Sequence, residues 1–96
     1  MTARRIAYEA ACDVELAEWN TQIVMLKAKA EKADADTRTA CRRSLENLQV
    51  SQVTAKQKHV ELKAAGRKEW EGLKDAMDQA RMIIRTSFCG VAAKLS

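Results

Sequence analysis

The stretch Leu62-Lys63-Ala64-Ala65-Gly66-Arg67-Lys68 decides how this chain folds. A periodic apolar run ends here, with a lysine in its last turn and a glycine directly after it, which is typical of a helix C-terminus. We therefore expect one helix to end near residue 64, and Gly66 to adopt a left-handed conformation. A second helix then begins near Lys68 and folds back onto the first.

The composition of the 96-residue chain favours helices throughout. Proline is absent, only three glycines occur, hydrophobic residues make up 47% and charged residues 31%. Alanine, lysine, glutamate and leucine, which are good helix formers, are abundant. A chain of this length forms a single domain, which we place at residues 1–96. We expect an all-α protein, and the lack of long loops argues against an enzyme.

Upstream of Gly66 the apolar and small residues recur three and four positions apart, which indicates coiled-coil packing. The first seam contains Leu16, Trp19, Ile23, Leu26, Ala30, Ala33, Thr37 and Ala40. The second contains Cys41, Leu45, Leu48, Gln52, Ala55, His59 and Leu62, and continues past Gly66 through Leu73, Ala76, Ala80 and Ile83. The seams join by steps of four, which unwind a supercoil without breaking a helix. This continuity predicts a long helical hairpin with its turn at Gly66.

The segment Asp34-Ala35-Asp36-Thr37 offers an alternative, since Asp and Thr are good helix caps. A further turn near Asp34–Thr37 would divide the chain into three helices of similar length and give a three-helix bundle. Against this turn, Asp34 lies four residues before Arg38, which is a favourable pair inside a continuous helix. Both architectures stay open at this point.

The hairpin predicts a partner, because its shorter helix covers only part of the longer one. The candidate interaction residues left bare are Leu16, Trp19, Ile23 and Leu26. A monomer rarely tolerates such an apolar stripe. We therefore expect a homodimer, antiparallel in arrangement, and a further protein partner of unknown identity.

The net charge of +4 is concentrated in the middle third of the chain. The candidate basic patch comprises Arg42, Arg43, Lys56, Lys63, Arg67 and Lys68. Such a patch attracts nucleic acid or an anionic membrane surface, whereas a solvated helix face accounts for it without any ligand. No nucleic-acid recognition motif accompanies it.

The sequence shows no pattern for catalysis or metal binding, and we predict no catalytic residues, metal, cofactor or small-molecule substrate. His59, the only histidine, lies on the seam, and the cysteines form no paired motif. We expect Cys41 and Cys89 to be buried in one layer, and Cys12, outside the paired region, to react first unless a dimer covers it. The unpaired cysteines, the absence of a long apolar run and the interrupted N-terminal segment predict a cytoplasmic protein.

Several motifs resemble a known group. Tyr8, the segment Leu16-Ala17-Glu18-Trp19-Asn20, the junction at Gly66 and Trp70 occur in the same order in small bacterial coiled-coil domain proteins linked to stress responses. Those proteins are commonly acidic, and Met77 replaces a second tryptophan that is usual in them. The resemblance implies a cytoplasmic helical protein without catalytic activity.

These observations predict a non-enzymatic coiled-coil structural or interaction protein, associated with stress, which self-associates and binds other proteins. The alternatives are a basic helical module that binds nucleic acid nonspecifically and an amphipathic protein that binds lipid surfaces.

Overall fold

The structure, a computed structural model, describes residues 2–95 and consists of three α-helices. Helix α1 spans Ala3–Glu31, α2 spans Ala35–Ala64 and α3 spans Arg67–Leu95. The helices lie side by side in a rod of 50 × 17 × 17 Å, with α2 antiparallel to the other two. The all-α prediction is confirmed, in the form of the three-helix bundle. The single long helix of the hairpin is wrong.

The chain turns between α1 and α2 because Asp34 caps the second helix. Its backbone is extended (φ −62°, ψ 166°), and its Oδ1 atom accepts a hydrogen bond of 2.8 Å from the amide of Thr37. That hydrogen bond lowers the pKa of Asp34. The cap at Asp34 therefore outweighs the side-chain pair with Arg38 that favoured a continuous helix.

The turn at Gly66 is confirmed, but its predicted conformation is wrong. No glycine in residues 2–95 has a positive φ, and α2 ends in Ala65 with extended backbone. Gly66 is instead the N-cap of α3: its carbonyl accepts hydrogen bonds from the amides of Glu69 (3.2 Å) and Trp70 (3.1 Å). Its own amide donates to the carboxylate of Glu69 at 3.0 Å. The hydrogen bond to the Glu69 side chain is one half of a capping box. The other half requires a side-chain acceptor at the N-cap, which glycine lacks.

The core follows the predicted seams most closely on α2, where all seven members from Cys41 to Leu62 are buried. On α3 the buried residues are Trp70, Met77, Ala80, Ile84 and Val91. The predicted seam member Ile83 is 57% exposed, whereas its neighbour Ile84 is fully buried. The polar members of the α2 seam have partners, since Gln52 donates to Asn20 on α1.

The cysteines lie differently from the prediction. Cys12 and Cys41 are fully buried and Cys89 is exposed, and all three are free thiols. The prediction for Cys41 is confirmed, and those for Cys12 and Cys89 are wrong. Cys12 is covered because α1 packs against α2 and α3. The predicted hairpin lacked this contact.

Candidate interaction surfaces

The four candidate interaction residues belong to the intramolecular core. Leu16, Trp19 and Ile23 are buried, and Leu26 packs against the core in a half-buried position. The bundle folds α2 and α3 over the stripe that the hairpin left bare. These residues are therefore not a surface for a partner, and the original reason for expecting a dimer no longer holds.

Tyr8 connects α1 to α3. Its hydroxyl donates a hydrogen bond of 2.5 Å to Asp78, while the side-chain cations of Lys74 and Arg81 lie 4.9 Å and 5.3 Å from the ring centroid. The ring of Trp70 meets that of Tyr8 edge to face at 5.7 Å. Burial and the hydrogen bond to Asp78 raise the pKa of Tyr8 well above its ordinary value. The phenol therefore stays protonated and acts as a donor.

Glu15 forms the next link along the same boundary. One of its carboxylate oxygens lies 2.5 Å from Nε of Arg81, and the other accepts from Arg85 at 2.7 Å and 3.0 Å. Burial alone raises the pKa of Glu15, but its hydrogen bonds with the two arginines outweigh this effect and lower it. Burial also raises the pKa of the nearby Cys12, so this thiol has little nucleophilic character.

Arg5, near the start of α1, forms hydrogen bonds with the end of α2. Its Nη2 atom donates to the carbonyl oxygens of Leu62 (3.2 Å), Lys63 (3.3 Å) and Ala65 (2.9 Å). Its Nε atom donates to Glu9 at 3.1 Å. The guanidinium thus satisfies carbonyls that a helix end leaves unpaired, where a cation is also favoured by the helix dipole.

His59 occupies a structural position. Its Nε2 atom lies 3.3 Å from the backbone oxygen of Glu9 and 3.3 Å from a carboxylate oxygen of Asp13. Within residues 2–95, no three His, Cys, Asp or Glu side chains converge as a metal site would require. In the same range, none of the helices has the length and apolar character of a membrane span.

The candidate basic patch does not act as one free surface. Lys63 pairs with Asp13 at 3.1 Å, and Lys56 donates to Asn20 at 3.3 Å, so both tie α2 to α1. Arg42 lines a groove between the same two helices. The other three cations, Arg43, Arg67 and Lys68, are exposed, and none forms an ion pair in the part of the chain that the structure describes.

The side of α1 that faces away from the bundle carries a second heptad pattern, which we call the outer face of α1. It consists of Ala3, Ala7, Ala10, Val14, Ala17, Thr21, Val24 and Ala28. All of these residues are exposed and none is charged. Two further exposed apolar side chains, Ile6 and Met25, flank it. An outward helix face is ordinarily polar, so this surface requires an explanation.

Sequence reasoning missed the outer face because it followed only the stripe with the largest side chains. The signal was present as steps of three and four that begin at Ala3, two positions out of phase with Leu16, Trp19 and Ile23. Two positions correspond to about 200° around a helix, so the two patterns lie on opposite sides of α1. No known family model matches this chain, and searches against curated proteins and solved structures likewise give no match.

Proposed function

We propose that this protein is a non-enzymatic, self-associating interaction protein, and that the outer face of α1 is its contact with a second copy. The observation that carries the proposal is the run of eight exposed, uncharged positions at heptad spacing. Heptad-spaced small and apolar residues are what a helix needs to pack closely against another helix. Charged residues make up 31% of the chain, yet they avoid every one of these positions.

The outer face is complementary to itself in an antiparallel arrangement. With a twofold axis between Val14 and Ala17, each position of one helix meets a defined position of the other. The pairs are Ala3 with Ala28, Ala7 with Val24, Ala10 with Thr21, and Val14 with Ala17. Each of the larger side chains therefore meets an alanine, which allows close approach without steric conflict.

The charges beside the outer face favour the antiparallel arrangement over the parallel one. In a parallel pair, Asp13 of one helix lies across from Glu18 of the other on both sides of the contact, and like charges repel. In the antiparallel pair, Asp13 lies across from Asn20 and Glu18 across from Ala11. No like charges then face each other.

The mass of the protein in solution tests the contact. We expect a concentration-dependent dimer of weak to moderate affinity, since alanine buries little apolar area. Ala17→Lys places a charge at the centre of the outer face and should give a monomer with an unchanged helical fold. Ala64→Lys, an equally exposed alanine on α2, serves as the matched control and should remain dimeric. A wild-type monomer at high micromolar concentration overturns the proposal, and a dimer that survives Ala17→Lys overturns the assigned face.

Spin labels test the orientation. In a Cys89→Ser background, a label at Lys29→Cys sits far from the twofold axis of the antiparallel dimer. At 1.5 Å per residue, the two labels should then lie about 40 Å apart. A parallel dimer would bring them within roughly 15 Å, given the 8–10 Å spacing of packed helices. A distance between the two labels of roughly 15 Å contradicts the antiparallel arrangement.

The biological setting follows from the resemblance given above, which implies a stress-associated role in the cytoplasm. The three free thiols fit a reducing compartment. The same outer face is available to a helix of another protein, and such a helix should compete with the second copy. Affinity capture with wild type and Ala17→Lys in parallel tests this, because a partner that uses the face is lost from the variant.

A further inference from the structure

The end of the bundle at which α1 and α3 begin contains a cavity of about 540 Å³. Four of the side chains that line it are cationic, namely those of Arg4, Arg5, Lys63 and Arg67. Glu71 is the single carboxylate among the lining residues. The groove between α1 and α2 offers a comparison, since its three cations are accompanied by two carboxylates. The cavity is therefore rich in donors and poor in acceptors.

Trp70 in the wall of this cavity has an unsatisfied polar group. The residue is only 5% exposed, and its indole N–H has no hydrogen-bond partner within residues 2–95. Buried N–H groups are nearly always paired, so an orphan of this kind indicates a missing acceptor. The guanidinium of Arg5 lies over the Trp70 ring, 5.7 Å from its centroid, and also lines the cavity.

The four cations differ in how far their side chains are already paired. Arg5 is bound to Glu9 and to the end of α2, and Lys63 is paired with Asp13. Arg4 forms only an exposed ion pair of 3.2 Å with Glu71, which solvent screens. Arg67 makes no ion pair or side-chain hydrogen bond within the described range, and is free to meet a ligand.

The helix ends add to the positive potential of the cavity. Both α1 and α3 begin here, and helix N-termini have a positive dipole end. Some of their amides are already paired, since the Arg5 amide donates to Thr2 and the Gly66 amide to the Glu69 carboxylate. The negative end of α2 reaches the same region, but three of its carbonyl oxygens are already occupied by Arg5. The backbone therefore contributes donors here, and its nearest acceptors are used.

We propose that this cavity is a binding site for a phosphate group, either of a small phosphate or pyrophosphate ion or of a phosphomonoester headgroup. Phosphate oxygens only accept hydrogen bonds, and they match the planar donor forks of arginine. Arg67 and Arg4 bind the anion, Arg4 by exchanging its exposed pair with Glu71. The indole of Trp70 lies in the wall of this site and is placed to report its occupancy. The site is distinct from the outer face of α1 and does not depend on dimer formation.

The two tryptophan indole N–H resonances in a ¹H–¹⁵N spectrum provide the test. On titration with inorganic pyrophosphate at constant ionic strength, the Trp70 signal should move and saturate in the millimolar range or below. Trp19 lies about 20 Å further along the bundle and should not respond. A Trp70 signal that stays in place, or that moves equally with sodium chloride, overturns the proposal.

Two variants of equal charge change locate the site. Arg67→Gln should weaken pyrophosphate binding by about tenfold, as expected for the loss of one charge-assisted hydrogen bond. Arg43→Gln removes the same charge from an exposed arginine on α2, about 30 Å from the helix end at the cavity, and should leave the affinity unchanged. Equal weakening by both variants would mean that only the net charge matters, and would refute the site.

Vesicles distinguish the source of the phosphate. Sedimentation with vesicles that contain phosphatidic acid, performed for wild type and Arg67→Gln, tests the headgroup. If the vesicles bind wild type and Arg67→Gln weakens that binding by a similar factor, a lipid phosphate is a ligand of the cavity. If the vesicles do not bind while pyrophosphate still moves Trp70, the site takes the free anion.

Discussion

Tyr8 on α1 donates a hydrogen bond of 2.5 Å to Asp78 on α3, and the pKa of each group shifts in the direction that preserves this bond. Burial and the hydrogen bond raise the pKa of Tyr8. Burial alone raises the pKa of Asp78, but its hydrogen bonds with Tyr8 and Lys74 outweigh this effect and lower it. The donor therefore keeps its proton, and the acceptor keeps its charge, over a wide range of pH.

Tyr8 should make the stability of the bundle fall at alkaline pH. In the unfolded chain tyrosine ionises near pH 10, whereas folded Tyr8 holds its proton to higher pH. The stabilisation is thus complete below about pH 10 and is lost as the pH rises through the folded pKa. Tyr8→Phe should show a smaller alkaline decline in urea unfolding, and should cost about 1–2 kcal/mol at neutral pH. Tyr8 is the only tyrosine, so ultraviolet titration reports on it alone. An ordinary tyrosine titration of the folded protein would contradict this account.

Glu15 should contribute stability that disappears in acid. Its folded pKa is lowered, so its contribution is present above the unfolded value of about 4.3 and is lost as the pH falls through the folded pKa. Glu15→Gln should destabilise the protein by about 1–2 kcal/mol at neutral pH, because Arg81 and Arg85 lose their partner. It should also flatten the acid side of the stability profile. Glu18→Gln, at an exposed position that forms no ion pair within residues 2–95, is the control and should change neither.

Gly66 should respond to substitution as a helix N-cap. Serine there would complete a capping box with Glu69 and should stabilise the protein by a few tenths of a kcal/mol, because its hydroxyl acceptor offsets the 3.1 Å approach of its Cβ to the Glu69 carboxylate. Alanine supplies no acceptor, and its Cβ would approach the Glu69 carboxylate to 3.1 Å, so a loss of about 0.5 kcal/mol or more is expected. Thermal melts of both variants and of wild type check that stability decreases in the order serine, glycine, alanine at position 66. Greater stability of Gly66→Ala than of wild type would argue against the cap.

The cysteines should differ in reactivity. Cys89 is exposed and should be alkylated within a brief exposure to a thiol reagent. Cys12 and Cys41 are fully buried and should react only as the protein opens. Mass spectrometry of the alkylated peptides, with and without denaturant, measures this order. Similar rates for all three thiols in the folded protein would contradict the packing described above.

The sequence predicts the core of α2 and the turn at Gly66 well because both depend on local signals. The heptad spacing from Cys41 to Leu62 and the helix-ending residues before Gly66 each act within a few turns of helix. The turn at Asp34 is harder to predict, since the same residues suit a cap and a continuous helix. The packing of α1 against α2 and α3, which a single pattern cannot reveal, adds to the Asp34 cap in favouring the turn.

The candidate surfaces are less predictable than the fold. Leu16, Trp19 and Ile23 were expected to face a partner only because the hairpin left them bare, so one wrong helix boundary reversed their role. The cavity beside Trp70 is not visible in the sequence, because it brings together residues from the start of α1, the end of α2 and the start of α3. Its cations lie far apart in the chain and meet only once α1 folds back.

The unequal contact among the helices has a kinetic consequence. α2 and α3 share the most extensive contact, whereas α1 meets α3 the least and is held there largely by links such as Tyr8–Asp78 and Glu15–Arg81. We expect the amide protons of α1 to exchange with solvent first, through opening events that leave the α2–α3 pair intact. Since α1 also carries the outer face, association with a second copy should slow these events. The rate of amide exchange in α1 should therefore fall as the dimer forms, and so measures association.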